Sequence, residues 1–152
     1  MAERPRLHHS FHVPGEVRSW RVSRRRGSKD PELKRYQGKV AAFAKAAGCK
    51  PVSLFTGVVL RLDFVLRRPL KAKHWFPSVS DLTNMLKATE DALSGIAYHD
   101  DRQVIQANVR KRFAVGDEEP GVWVEIRYCH RPKPRTKTAG PETGVAQDGK
   151  SP

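Results

Sequence analysis

At 152 residues, with 38% hydrophobic and 30% charged side chains, the chain has the size of one domain with a real core and polar extensions. A formal net charge of +13 points to a polyanionic partner, nucleic acid before an anionic membrane surface. No apolar run approaches the ~20 residues that span a bilayer, no apolar leader core follows Met1 to Arg6, and Cys49 and Cys129 stand far apart without a CxxC partner. These features exclude a membrane span, a disulfide scaffold and a zinc ribbon, and the expectation is a cytoplasmic protein.

In chain order, Leu7 to Val13 reads as a short strand closed by Pro14-Gly15. Residues 16–30 form a loop carrying Arg18, Arg21, Arg24, Arg25, Arg26 and Lys29, too charged to pack and expected to be mobile without a partner. Pro31 suits the first turn of a helix running to about Ala47, with Leu33, Tyr36, Val40, Phe43, Ala44 and Ala47 on one side. Val52 to Leu66 is the longest β-like stretch. Its second half alternates Val59, Arg61, Asp63 and Val65 against Leu60, Leu62, Phe64 and Leu66. After Arg67-Arg68-Pro69 comes a basic loop, Leu70 to Pro77, with Lys71, Lys73, His74, Trp75 and Phe76.

A second helix follows from about Asp81, with Ser78 or Ser80 as N-cap and Gly95 as its stop. On a wheel of about 100° per residue, Leu82, Leu86, Thr89 and Leu93 fall within roughly 60° of one another, opposite Asn84, Lys87 and Asp91. Gln103 to Phe113 and Gly121 to Cys129 read as strands joined by a hairpin-like turn at Val115 to Pro120. From His130 onward no apolar periodicity remains, so residues 130–152 are expected to be a disordered basic tail. The order β-α-β-α-β-β predicts an α/β (α+β) domain of two layers, a mixed sheet with helices on one face.

Asp81, Asp91, Asp100 and Asp101 lie close in sequence in an otherwise basic chain. Phosphodiester hydrolysis needs a nucleophilic water and charge stabilisation on both sides of the phosphorus, which carboxylate-held divalent ions supply. Mg²⁺ keeps several waters, so two or three carboxylates suffice, and a lysine such as Lys87 can contact the scissile phosphate. The same residues also fit an ordinary amphipathic surface helix followed by an acidic turn. The basic loops equally fit solvated surface, and Trp75 and Phe76 fit either base stacking or loop packing. His8, His9 and His12 are too loosely spaced for a convincing metal site, and Asp63 is expected on the exposed face of its strand.

The run Asp81-x-x-Asn84-Met85-Leu86-Lys87-x-x-x-Asp91-Ala92-Leu93-x-Gly95, then Asp100-Asp101-x-Gln103-Val104, resembles the RusA family of Holliday-junction resolvases. That family's signature is similar to D-x-D-N-L-x-K-x-x-x-D-A-L followed by D-D-x-Q-V. The opening Val13-Pro14-Gly15, arginine-rich loop and helix are similar to its N-terminal half. The resemblance implies that residues 1–129 form an endonuclease domain nicking four-way DNA junctions in symmetric pairs as a homodimer, with Mg²⁺ as cofactor and Mn²⁺ as a substitute. It implies that Asp81, Lys87 and Asp101 are catalytic. Asp81 and Asp101 would be metal ligands, with Asp100 and Asp91 as further candidates and Asn84 and Thr83 in support.

Arg24, Arg25, Arg26, Arg67, Arg68, Lys71 and Lys73 would contact the DNA backbone. Two positions depart from the signature. Thr83 stands where the family has its second carboxylate, and Ser80 where it has proline. Because a hydroxyl is a weaker ligand for a hard cation, the alternative expectation is a non-catalytic binder of branched DNA with an impaired metal site. A basic RNA-binding module is a third, weaker fit.

Overall fold

The computed structural model describes residues 8–20 and 30–130. Arg24, Arg25 and Arg26, most of the expected mobile loop, and the expected tail from residue 131 lie outside the described residues. The elements run β1 (His8–Pro14), α1 (Pro31–Ala46), β2 (Gly57–Leu66), α2 (Leu82–Leu93), a 3-10 turn (Asp101–Gln103), β3 (Val104–Phe113) and β4 (Gly121–Cys129). The expected element order and the α+β class are those of the structure.

The four strands form one mixed sheet in the order β1-β4-β2-β3. β4 runs antiparallel to both β1 and β2, while β2 and β3 are parallel. Strict alternation explains the layering. Val58, Leu60, Leu62 and Phe64 of β2 and Val122, Val124, Ile126 and Tyr128 of β4 are buried in one cluster with residues of both helices. Arg61, Trp123 and Arg127, of the opposite parity, are exposed. Tyr36, Val40 and Ala44 face this core from α1, and Met85, Ala88, Thr89, Ala92 and Leu93 from α2. The helices are joined at a buried bond, 2.8 Å between the hydroxyls of Tyr36 and Thr89.

Three local expectations are corrected. β3 and β4 do not form a hairpin, because β2 lies between them. Its helix-facing residues are buried along its length, so it takes a central position, while β3 is largely exposed. β2 begins at Gly57 rather than Val52, since Leu54 and Phe55 stand outside the sheet and exposed. On α2 the buried stripe centres on Met85, Ala88 and Ala92, with Leu82 and Leu86 only partly buried. Small residues let the helix sit close to the core; hydrophobicity alone weights the leucines too heavily.

Candidate active site and DNA-facing surface

The connection from β2 through α2 to β3 builds the site. Because β2 and β3 are parallel, the chain must cross over between them, and α2 is that crossover. Lys111, late in β3, donates to the Ser80 carbonyl at 2.5 Å and holds the start of α2. The other end of the helix stops at Ser94, and Gly95 turns the chain with φ at +81°, a left-handed conformation natural to glycine. Its N–H donates to the Tyr98 carbonyl at 2.7 Å.

Asp81 is the N-cap of α2, a position expected for Ser78 or Ser80, yet its side chain makes no capping bond. Among the described residues its carboxylate accepts only a long contact from Asn84 Nδ2, 3.4 Å, and it stands at the positive end of the helix dipole. Thr83 is exposed in the first turn. Lys87, one turn on, lies over the ring of Trp20 at 4.0 Å from the centroid. Trp20 had no role in the sequence argument, and only the folded chain brings it there. The backbone N–H of Trp20 donates to the Asn84 carbonyl at 3.0 Å.

The acids gather at the far end. Glu90 and Asp91 both titrate above the usual carboxylate range, first because burial penalises their charge and then because Asp101 repels them. Lys87 partly offsets this at Asp91. Tyr98, buried beneath them, donates its hydroxyl to the Glu90 carbonyl at 2.9 Å, and burial and the three carboxylates push its phenol up. The structure thus brings Glu90, Asp91 and Asp101 into one electrostatic group with Lys87 beside it. Asp81 lies ~15 Å along the helix from Asp91. Among the described residues there is no group of three or more His, Cys, Asp and Glu arranged to hold a metal ion.

Asp100 plays a different part from Asp101. Its carboxylate accepts from the Arg102 backbone at 2.9 Å and from the Arg102 guanidinium at 3.0 and 2.8 Å. Those bonds hold it well below the usual aspartate range. It caps the 3-10 turn in a capping box with Gln103, and the turn carries Asp101 out to solvent. Gln103 is the buried anchor. Its Oε1 accepts from the N–H groups of His99 and Asp100 at 2.8 and 3.2 Å, and its Nε2 donates to the Ser53 and Thr56 carbonyls at 2.9 and 3.1 Å. The signature contained this glutamine; its role becomes visible only once the loop before β2 meets the turn before β3.

Other candidates fall elsewhere. Asp63 points away from α2 and pairs with Arg110 at 2.7 Å and Arg112 at 3.2 Å. His9 is buried on the helix side of β1, while His12 stacks on Trp123 with centroids 4.5 Å apart. Alternation therefore divides the histidines. Arg67, Arg68, Lys71 and Lys73 are all exposed on the segment between β2 and α2, and no ion pair engages them among the described residues.

No helix among the described residues is long and apolar enough to cross a membrane. A comparison with curated proteins finds no match. The family profile described as Endodeoxyribonuclease RusA matches residues 13–127, a span that begins at the end of β1 and includes both helices, the acidic group and nearly all of β4. The chain belongs to the RusA family of endodeoxyribonucleases.

Proposed function

We propose that the chain is a Mg²⁺-dependent endonuclease that resolves four-way DNA junctions by paired symmetric nicks, working as a homodimer. The observation that carries this reading is the acidic group of Glu90, Asp91 and Asp101 beside Lys87, in a family member of net charge +13. Burial first, and then the neighbouring Asp101, push Glu90 and Asp91 up, and a cation would offset both effects. Mg²⁺ takes one or two protein carboxylates and completes its shell with water and phosphate. The pair Asp101 and Asp91 fits such an ion, while Asp81 stands ~15 Å along the helix from Asp91 and Asp100 is taken up by Arg102. When bound, it supplies positive charge to the phosphoryl oxygens and a source of nucleophile.

The chain's own residues do the rest. Lys87, fixed over Trp20, offsets charge developing on the scissile phosphate. Asp81, at the helix N-terminus, orients Asn84. Arg67, Arg68, Lys71 and Lys73, with Arg24, Arg25 and Arg26, attract and position the backbone, which makes affinity salt-sensitive. Two-fold symmetry suits paired cuts, one site to each strand.

The decisive experiment incubates the purified protein with a labelled four-way junction in Mg²⁺ or in EDTA, alongside Asp101→Asn and Asp81→Asn. Nicking in Mg²⁺ alone, abolished in both variants while junction binding persists, is the expected result. Normal nicking by either variant removes that residue from the site. A second reading is a junction binder that cuts poorly. Thr83 in place of a carboxylate favours it. Junction-selective binding with no Mg²⁺-dependent nicking by the wild type would establish it.

A further inference from the structure

The segment between β2 and α2 forms a recess of about 490 Å³ apart from the acidic group. That volume lies within the ~300–1,000 Å³ typical of small-ligand pockets. Leu66, Phe76, Val79 and Phe113 contribute its apolar wall, and Arg67, Lys71 and Lys73 its rim. Among the described residues no acidic side chain lines it. The aromatic groups are already in stacking arrangements: His74 lies on Phe76 with centroids 5.3 Å apart and planes 22° apart, and Trp75 meets Phe76 edge-on. The Arg68 guanidinium lies 5.5 Å from the centre of the Phe113 ring. Yet Val79 of the wall is 79% exposed, and Trp75, beside the recess against Phe76, is 84% exposed, so apolar surface is left facing water.

Position gives the recess its meaning. Leu66, Arg67 and Val79 also line the adjoining hollow that reaches Ser80, so the surface continues to the residue before Asp81. We infer that this recess receives a nucleobase turned out of the stack next to the crossover, its flanking phosphates lying on Arg67, Lys71 and Lys73. A nucleotide combines the two characters the recess offers, a flat π face for the aromatic wall and a fixed anion for the cationic rim. A branch point is where a base leaves the stack at least cost. The inference rests on the reading of the chain as a junction nuclease and adds how the crossover is recognised.

The test uses the full chain and a four-way junction in EDTA, so that the DNA stays whole, with 5-iododeoxyuridine placed in turn at each branch-point position. Irradiation followed by peptide mapping is expected to crosslink His74, Trp75 or Phe76 from a branch position, at least tenfold more than from the same base inside a linear duplex. Phe76→Ala and Trp75→Ala, both at exposed positions, are expected to weaken junction binding about tenfold while leaving linear-duplex binding unchanged. A bound junction that crosslinks only elsewhere overturns the inference and leaves the nuclease reading standing. Failure of the wild type to bind junctions at all overturns both. If Phe76→Ala instead dissociates a DNA-free dimer in sedimentation, a second copy of the chain occupies the recess, and the inference is overturned.

Discussion

The ammonium of Lys87 lies 4.0 Å from the centre of the Trp20 ring, and Trp20 is fastened to α2 through its backbone N–H on the Asn84 carbonyl. A long flexible side chain is thereby held in one place by a cation–π contact worth about 0.5–2 kcal/mol. Trp20→Ala is expected to slow single-turnover nicking about threefold to tenfold with little change in junction affinity, and Trp20→Phe to recover most of it. An unchanged cleavage rate in Trp20→Ala would reduce the ring to a packing role.

Gln103 makes four bonds from a buried site, two to the acidic turn and two to the loop before β2. Gln103→Ala leaves two N–H groups and two carbonyls without that partner, and the expected loss is about 2–4 kcal/mol in urea unfolding. Gln103→Glu keeps the acceptor but sets a carboxylate against the Ser53 and Thr56 carbonyls, and is expected to be comparably damaging. A stability within 0.5 kcal/mol of wild type, a surface-like ~0.5 kcal/mol change, would mean that the turn is held by something else.

Thr83 stands in the first turn of α2, one turn before Lys87. Thr83→Asp is expected to lower the Mg²⁺ concentration for half-maximal nicking, because a carboxylate strengthens the attraction for a hard cation. It also favours the helix N-terminus by about 0.3–1 kcal/mol. The two effects separate cleanly: higher stability with unaltered metal dependence would mean that position 83 acts on the helix alone.

Glu118 is held at about 2, below its ordinary 4.5, first by the bonds from the Arg112 guanidinium and then by the Val115 N–H. Its folded pKa is depressed, so the stability it contributes is present above about 4.5 and is lost as pH falls toward 2. The melting temperature is expected to drop through that interval, and Glu118→Gln to lower it at pH 7 while flattening the acid limb. An acid limb identical in Glu118→Gln would assign the loss to other carboxylates.

Much of the fold was legible because it is written at short range. The Pro31 start of α1, its Tyr36-Val40-Ala44 stripe, the alternation of β2 and β4, and the Asp81 to Gln103 signature depend on neighbours within a turn or a pleat. The departures are equally specific. Hydropathy put Leu82 and Leu86 at the centre of the buried face, whereas close packing against the core selected Ala88 and Ala92. Adjacency in sequence suggested a β3–β4 hairpin, whereas the demand for a central apolar strand inserted β2 between them.

The sequence by itself determined the element order and the basic character, since composition and periodicity are local properties of the chain, while the candidate acids and lysine came from the resemblance of the Asp81 to Gln103 run to a family signature. Only the tertiary structure decided that Asp101 faces Glu90 and Asp91, that Trp20 lies under Lys87, and that Gln103 joins two loops. Each of those pairings depends on where the parallel β2–β3 crossover sets segments distant in sequence, and no local pattern encodes that distance.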